Sequence, residues 1–184
     1  LDDSSALDSA ILVSTGNTVT LGSATAPTPT VTVTVGGAGG GAASFGVQGT
    51  NENTITNHGT IQIDAANGTG IGVGNDNTVT LESDSVVVLA GANAFGVQAG
   101  NRNSVANNGT ITVDGNAGVA MSVNDVIDDA GVLTPNENPF LTNNGTIELN
   151  AAGSVGLRSN DTYLITNGVG GEITIDILAT GGVG

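Results

Sequence analysis

The chain has no cysteine, no tryptophan and no lysine; its aromatic residues are three Phe and one Tyr, and its only strong cations are Arg102 and Arg158. Without cysteine there are no disulfide staples and no thiolate metal site, which suits the cytosol and equally a chain that crosses a membrane unfolded. With a formal net charge of −15 and no basic cluster, nucleic acid and anionic membrane surfaces are excluded as expected partners. No apolar run approaches the roughly 20 residues of a spanning helix, so direct membrane insertion of this segment is not expected. Low aromatic content alone would suit disorder, but 38% hydrophobic residues with evenly spaced Val and Ile do not. The scattered acidic groups are most simply a source of solubility.

What the chain does have is a repeat. Phe45 to Asp64 reads FGVQGTNENTITNHGTIQID, and fifty residues later Phe95 to Asp114 reads FGVQAGNRNSVANNGTITVD, identical at eleven of twenty positions. A weaker copy lies between them, from Gly70 to Ala90, so the basic period is about 25 residues, the range of solenoids and arrays. Short Val/Thr/Ile runs recur three times per period, bounded by Asn and Gly. Three strands per coil predict an all-β fold, a right-handed parallel β-helix of about six coils. Residues 1–10 read as a frayed entry, 11–43 as a degenerate first coil, and 45–177 as regular coils interrupted by an insertion at 124–139. The chain begins at Leu1 without a charged n-region and ends inside the repeat pattern, and it reads as part of something longer.

Stacked coils should hold apolar residues in columns. The first strand supplies Phe45, Ile71, Phe95, Val119 and Val155, then Val47, Val73, Val97, Met121 and Leu157. The second gives Ile55, Val79, Val105, Leu141 and Ile165; the third gives Ile61, Ile111, Ile147 and Ile173 with Ile63, Val113, Leu149 and Ile175. The corners Asn57-His58-Gly59, Asn107-Asn108-Gly109 and Asn143-Asn144-Gly145 suit left-handed backbone, and their Asn side chains are placed to stack as a ladder. His58 is then a corner residue rather than a catalytic base. Asp76 and Arg102, in equivalent slots of neighbouring coils, form an expected surface pair, while Arg158 has no obvious partner.

No catalytic or cofactor-binding residues are assigned, and the chain reads as non-enzymatic. Asp64 and Asp114 stand roughly two coils apart, a spacing that leaves a carbohydrate-active β-helix (a polysaccharide lyase or hydrolase) as an alternative, though cations to hold an acidic sugar are lacking. No cofactor is expected. Calcium is the one candidate, at Asp125, Asp128, Asp129 and Glu137 in the insertion, where a solvated acidic loop is the commoner meaning. Two strips stand out as interaction surfaces. Gly46, Gly72, Gly96, Ala120 and Gly156 read as a bare outward column open to close approach. Thr54, Thr56, Thr78 and Thr80, extended by Thr18 and Thr20, form a threonine grid of the kind an ice-binding or surface-patterning face would carry, although the β-propensity of Thr explains it as well.

The phrases NxNTVT and NNGTIxVD, with the Asn-Gly corners, Thr/Val strands and lack of Cys, resemble passenger domains of bacterial autotransporters (type V secretion) from about Asn17 to Asp176. The resemblance implies export to the bacterial cell surface, outer-membrane association through a translocator outside this sequence, and adhesion or self-association. The partners it implies are neighbouring copies of the chain or a host or cell-surface ligand.

Overall fold

A computed structural model describes residues 9–25, 31–36, 44–123, 140–159 and 164–175. The insertion at 124–139, with Asp125, Asp128, Asp129 and Glu137, lies outside the described residues, as does Asp176.

Among the described residues, eighteen short strands form three six-stranded parallel sheets, and each sheet takes every third strand in chain order. The fold is a parallel β-helix of six coils. The first sheet holds β1 (Ser9–Val13), β4 (Phe45–Gly49), β7 (Thr69–Val73), β10 (Phe95–Ala99), β13 (Val119–Val123) and β16 (Val155–Ser159). The second holds β2 (Thr18–Leu21), β5 (Thr54–Asn57), β8 (Thr78–Leu81), β11 (Ser104–Asn107), β14 (Phe140–Asn143) and β17 (Leu164–Asn167). The third holds β3 (Thr32–Val35), β6 (Thr60–Ile63), β9 (Val86–Leu89), β12 (Thr110–Val113), β15 (Thr146–Leu149) and β18 (Glu172–Ile175). Ser9 and Ala10 already belong to β1, so the first coil begins slightly earlier than the sequence pattern suggests.

Alternation decides which residues enter the core. Strands such as TITV and TIEL bury their second and fourth positions and leave the first and third part-exposed, as a half-buried strand should. The second and third sheets therefore hold the expected columns: Ile55, Val79, Val105 and Leu141 in one, Ile61, Val87, Ile111 and Ile147 in another, each at most 1% exposed. Burying a side chain of this size stabilises by about 1.5–3 kcal/mol, so the stack of columns is the main source of stability.

The first sheet departs from the expected columns in two ways. Phe45 and Phe95 pair with Thr69, not Ile71; Ile71 pairs with Val47 and Val97, and Val73 with Gly49 and Ala99. The third coil is thus shifted by two residues from the expected alignment. Further, Phe45 and Phe95 are only half-buried while the next two positions of each strand are buried, so these strands break strict alternation. Phe45 belongs to the outer face: a Cβ placed on Gly72 would lie 2.5 Å from the Phe45 ring.

Asparagine side chains fill the corners between strands. At the corner after the second sheet, Asn107 Nδ2 donates to Asn143 Oδ1 and Asn143 Nδ2 to Asn167 Oδ1, both at 2.8 Å. Asn57 stands apart from this ladder because Leu81 occupies the position between it and Asn107. The paired glycines are not left-handed, contrary to expectation. They are required for room: a Cβ on Gly59 would meet the Val31 carbonyl oxygen at 2.5 Å, and one on Gly145 would collide with the Gly109 carbonyl oxygen. Two of the corner asparagines instead close Asx turns, Asn57 Oδ1 accepting from the Gly59 N–H and Asn107 Oδ1 from the Gly109 N–H, whereas the Gly145 N–H donates to Asn107 O in the preceding coil.

The left-handed residues other than glycine lie at the other two corners: Glu52, Asp76 and Arg102 in one stack, Asn67, Asn93 and Ala117 in another. Adopting this conformation without glycine costs about 1–2 kcal/mol each. The return is an N–H turned along the helix axis. Glu52 donates to Asn75 O, Asp76 to Asn101 O, Asn67 to Ala92 O, Asn93 to Asn116 O and Ala117 to Ala152 O, each in the following coil. Between the first and second sheets runs a buried ladder that the NxN phrase encodes. Asn17 N donates to Asn53 Oδ1, Asn53 N to Asn77 Oδ1 and Asn77 N to Asn103 Oδ1.

Candidate interaction face

The register settles what each outward column carries. Gly46, Gly70, Gly96, Ala120 and Gly156 share one column, whereas Gly72 lies in the column of Gln48 and Gln98. The strip expected to be bare and outward is instead buried; Ala120 is 0% exposed. A Cβ on Gly46 would face Val33 and Val35, one on Gly70 would face Ile61 and Ile63, and both would press on the carbonyl of the next coil. These glycines are small because the coils close in on one another there, and they offer no surface to a partner. Gly72 alone of the expected strip belongs to the outward column, and it too is buried, beneath the Phe45 ring.

The threonine grid is in register. Thr18, Thr54 and Thr78 form one column and Thr20, Thr56 and Thr80 the next, continuing as Ser104, Phe140, Leu164 and as Ala106, Thr142, Thr166. Thr18, Thr20, Thr54 and Thr78 are exposed, and Thr56 and Thr80 half-buried.

Two ion pairs join neighbouring coils among the described residues. Arg102 grips Asp76 with both ends of its guanidinium, Nε to Oδ1 at 2.7 Å and Nη2 to Oδ2 at 2.5 Å, from matching left-handed turns. His58 lies 2.9 Å from Asp84 through Nδ1, a partner in the next coil that the sequence did not reveal. Asp114 accepts from Asn150 Nδ2 at 2.9 Å and Asp64 from Gln62 Nε2 at 2.7 Å, and Ala90 separates the two carboxylates in their column. Both are engaged with neighbouring amides rather than facing each other across a cleft. Among the described residues no three acidic or His side chains converge on a point where a metal ion could sit.

The outer face of the first sheet carries the most differentiated chemistry. Its outward column runs Leu12, Gln48, Gly72, Gln98, Ser122, Arg158. The Phe45 ring sits over Gly72, and beside it an open groove of about 590 Å³ lies between the two glutamines, bordered by Thr50 and Asn51. Ser9 Oγ donates to Gln48 Oε1 at 2.6 Å and so orients that amide. Two coils further on the same motif is closed. Arg158 donates from Nε to Ser122 Oγ at 3.1 Å and sets its guanidinium carbon 5.1 Å from the Phe95 ring centroid. Arg158 therefore has two partners where none was expected.

No protein-family model, curated protein or solved structure matches this chain.

Proposed function

We propose that the chain is a non-enzymatic, surface-exposed adhesive rod that attaches to a cell-surface ligand or to neighbouring copies of itself. The observation that carries this reading is the use of the repeat. Its most repeated residues build core and corners, and its outward strand positions present mostly uncharged Thr, Gln, Ser and Ala rather than a converging set of acids and bases. A stiff stack of in-register sheets displays such positions over a long surface, which suits many weak contacts acting together. The resemblance to autotransporter passengers supports placing that surface outside a bacterial cell. The test is attachment: beads coated with the purified chain should adhere to cells or to one another, and sedimentation should show concentration-dependent association. A chain that stays monomeric and leaves beads dispersed and unattached refutes the proposal.

The in-register threonines favour a second reading as an ice-binding or surface-patterning face. Two residues along a strand and one coil across give a lattice of about 6.7 by 4.8 Å on a flat surface. Thermal hysteresis that Thr78→Tyr abolishes would support it, and its absence in the native chain would remove it.

A further inference from the structure

The two FGVQ motifs have the same sequence and the same place in the sheet but different surroundings. Phe95 is capped: the planar guanidinium of Arg158 lies over its ring and bonds Ser122, the small residue in the coil between. Phe45 has Gly72 and Gln98 in the two corresponding positions, and in place of a capping side chain there is the 590 Å³ groove. It is an open depression on the sheet face rather than an enclosed cavity. The chain's own Arg158 thus shows that the exposed ring of this motif accepts a polar group laid across it. The groove also has free hydrogen-bonding capacity. Gln48 is anchored through its carbonyl oxygen by Ser9, leaving its NH₂ uncommitted, and the Gln98 amide makes no hydrogen bond within the described residues.

From this we infer that the Phe45–Gly72–Gln98 groove is a binding site for a neutral saccharide. An aromatic face beside two carboxamides is the chemistry that recognises a pyranose. The ring takes the apolar C–H face by dispersion, and the amides, each with donor and acceptor capacity, pair with adjacent hydroxyls. Every residue lining the groove is uncharged, in a chain of net charge −15, so an anionic sugar finds no counter-charge there and is repelled at longer range. A cationic ligand would find no carboxylate in the groove to pair with. The glycine seats the ring: a Cβ at this place would lie 2.5 Å from Phe45, so serine here, as at Ser122 in the second motif, would displace the ring from the groove. Nothing in the lining can act as acid, base or nucleophile toward a glycosidic bond, so the site binds without cleaving. This inference rests on the adhesive reading and deepens it by naming a ligand class.

The experiment is a titration of the ¹⁵N-labelled full chain with four neutral disaccharides (lactose, cellobiose, maltose and N,N′-diacetylchitobiose), with glucuronic acid as the anionic comparison. An open, shallow site predicts dissociation constants of about 1–10 mM for at least one disaccharide. Shifts should be confined to the Gln48 and Gln98 side-chain amides and the backbone amides of Gly72 to Gly74. Gln98→Ala should weaken binding at least about tenfold. Gly72→Ser should do the same with the circular dichroism spectrum and melting curve of a folded chain, and Ser122→Gly should leave the constant unchanged. No shift with any of the four disaccharides at about 50 mM, shifts located elsewhere, or equal response to glucuronic acid overturns the inference. Bead attachment measured in parallel separates the two claims. Attachment that persists in Gln98→Ala, with no sugar binding by the native chain, removes the saccharide site and leaves the adhesive rod standing.

Discussion

Replacing Asn107 by alanine tests whether the asparagine ladder holds the coils together or merely decorates them. Asn107 is fully buried and its carboxamide is committed in both directions. Oδ1 accepts from Gly109 N–H at 3.1 Å, and Nδ2 donates to Asn143 Oδ1 at 2.8 Å and to Gly109 O at 3.3 Å. Truncation leaves two buried groups without these partners, the Gly109 N–H and the Asn143 oxygen. Each such orphan costs about 1–3 kcal/mol, so a loss of about 3 kcal/mol is expected. For a chain of this length each kilocalorie lowers the melting temperature by about 2–4 °C, giving a fall of about 6–12 °C. The neighbouring Asn108 is the control. Its Oδ1 accepts from Asn144 Nδ2 at 3.1 Å at an exposed position, and Asn108→Ala should cost about 0.5 kcal/mol or less. Asn107→Leu should also destabilise, although Leu81 fills the same column in the third coil. There the longer corner satisfies itself through a bond from Ser85 N to Glu82 O, which the Asn-Asn-Gly corner cannot make. Urea unfolding followed by circular dichroism measures all three. Equal costs for Asn107→Ala and Asn108→Ala, or full stability in Asn107→Leu, would refute the ladder argument.

Three further outcomes are expected. Gly145→Ala should lower stability by about 1–3 kcal/mol, since its methyl meets the Gly109 carbonyl, while Gly36→Ala, with open space at the same atom, should be neutral or slightly stabilising in the same urea titration. Ile111→Ala, in the middle of a fully buried column, should cost about 2–5 kcal/mol; Ile175→Ala, at the end of the neighbouring column and 40% exposed, should cost clearly less, and thermal melts rank the two. Arg102→Ala removes an ion pair that is more than a third exposed, so it should cost at most about 1 kcal/mol, and the difference from the native chain should shrink when the melts are repeated in high salt.

The strands and coils were legible because period and alternation speak directly of a stacked, half-buried surface. The second and third sheets follow strict alternation, and their columns from Ile55 to Leu141 and from Ile61 to Ile147 match the expected ones. The first sheet was misread because GIGVG alternates with itself: a slip of two residues preserves every in–out assignment and leaves no pattern-level conflict. A signal did exist. Phe45 and Phe95 each precede the first Asn of an NxN corner by six residues, and six residues before Asn75 stands Thr69. Counting from the corner, not from the apolar residues, gives the observed register. The partners of Arg158 and His58 were out of reach of periodicity, which places columns but does not say how far a long side chain leans across them. For the same reason the groove was invisible, since it depends on how the Phe45 ring leans over Gly72 between the glutamines of the flanking coils.

The strongest sequence identity falls at two coils rather than one, and the outer face of the first sheet explains why. The Phe45 ring occupies the space above Gly72, and the Phe95 ring shares Arg158 with Ser122. A phenylalanine in one coil thus requires a small residue in the next, three positions further along the strand, where its own coil carries glutamine. From the second coil to the fifth, coils with Phe and Gln alternate with coils that carry Thr or Val at the first position and Gly or Ser at the fourth, as Thr69/Gly72 and Val119/Ser122 do; the end coils, with Ser9/Leu12 and Val155/Arg158, stand outside the alternation. The repeating unit of the core is one coil; the repeating unit of this face is two. Gly72→Gln brings the third coil closer to its two neighbours in sequence, which by resemblance alone should be harmless or stabilising. Instead it should drive Phe45 off its seat and cost about 1–3 kcal/mol, and the companion change Phe45→Thr should recover much of that loss. If Gly72→Gln unfolds at the same urea concentration as the native chain, the doubled period has another origin.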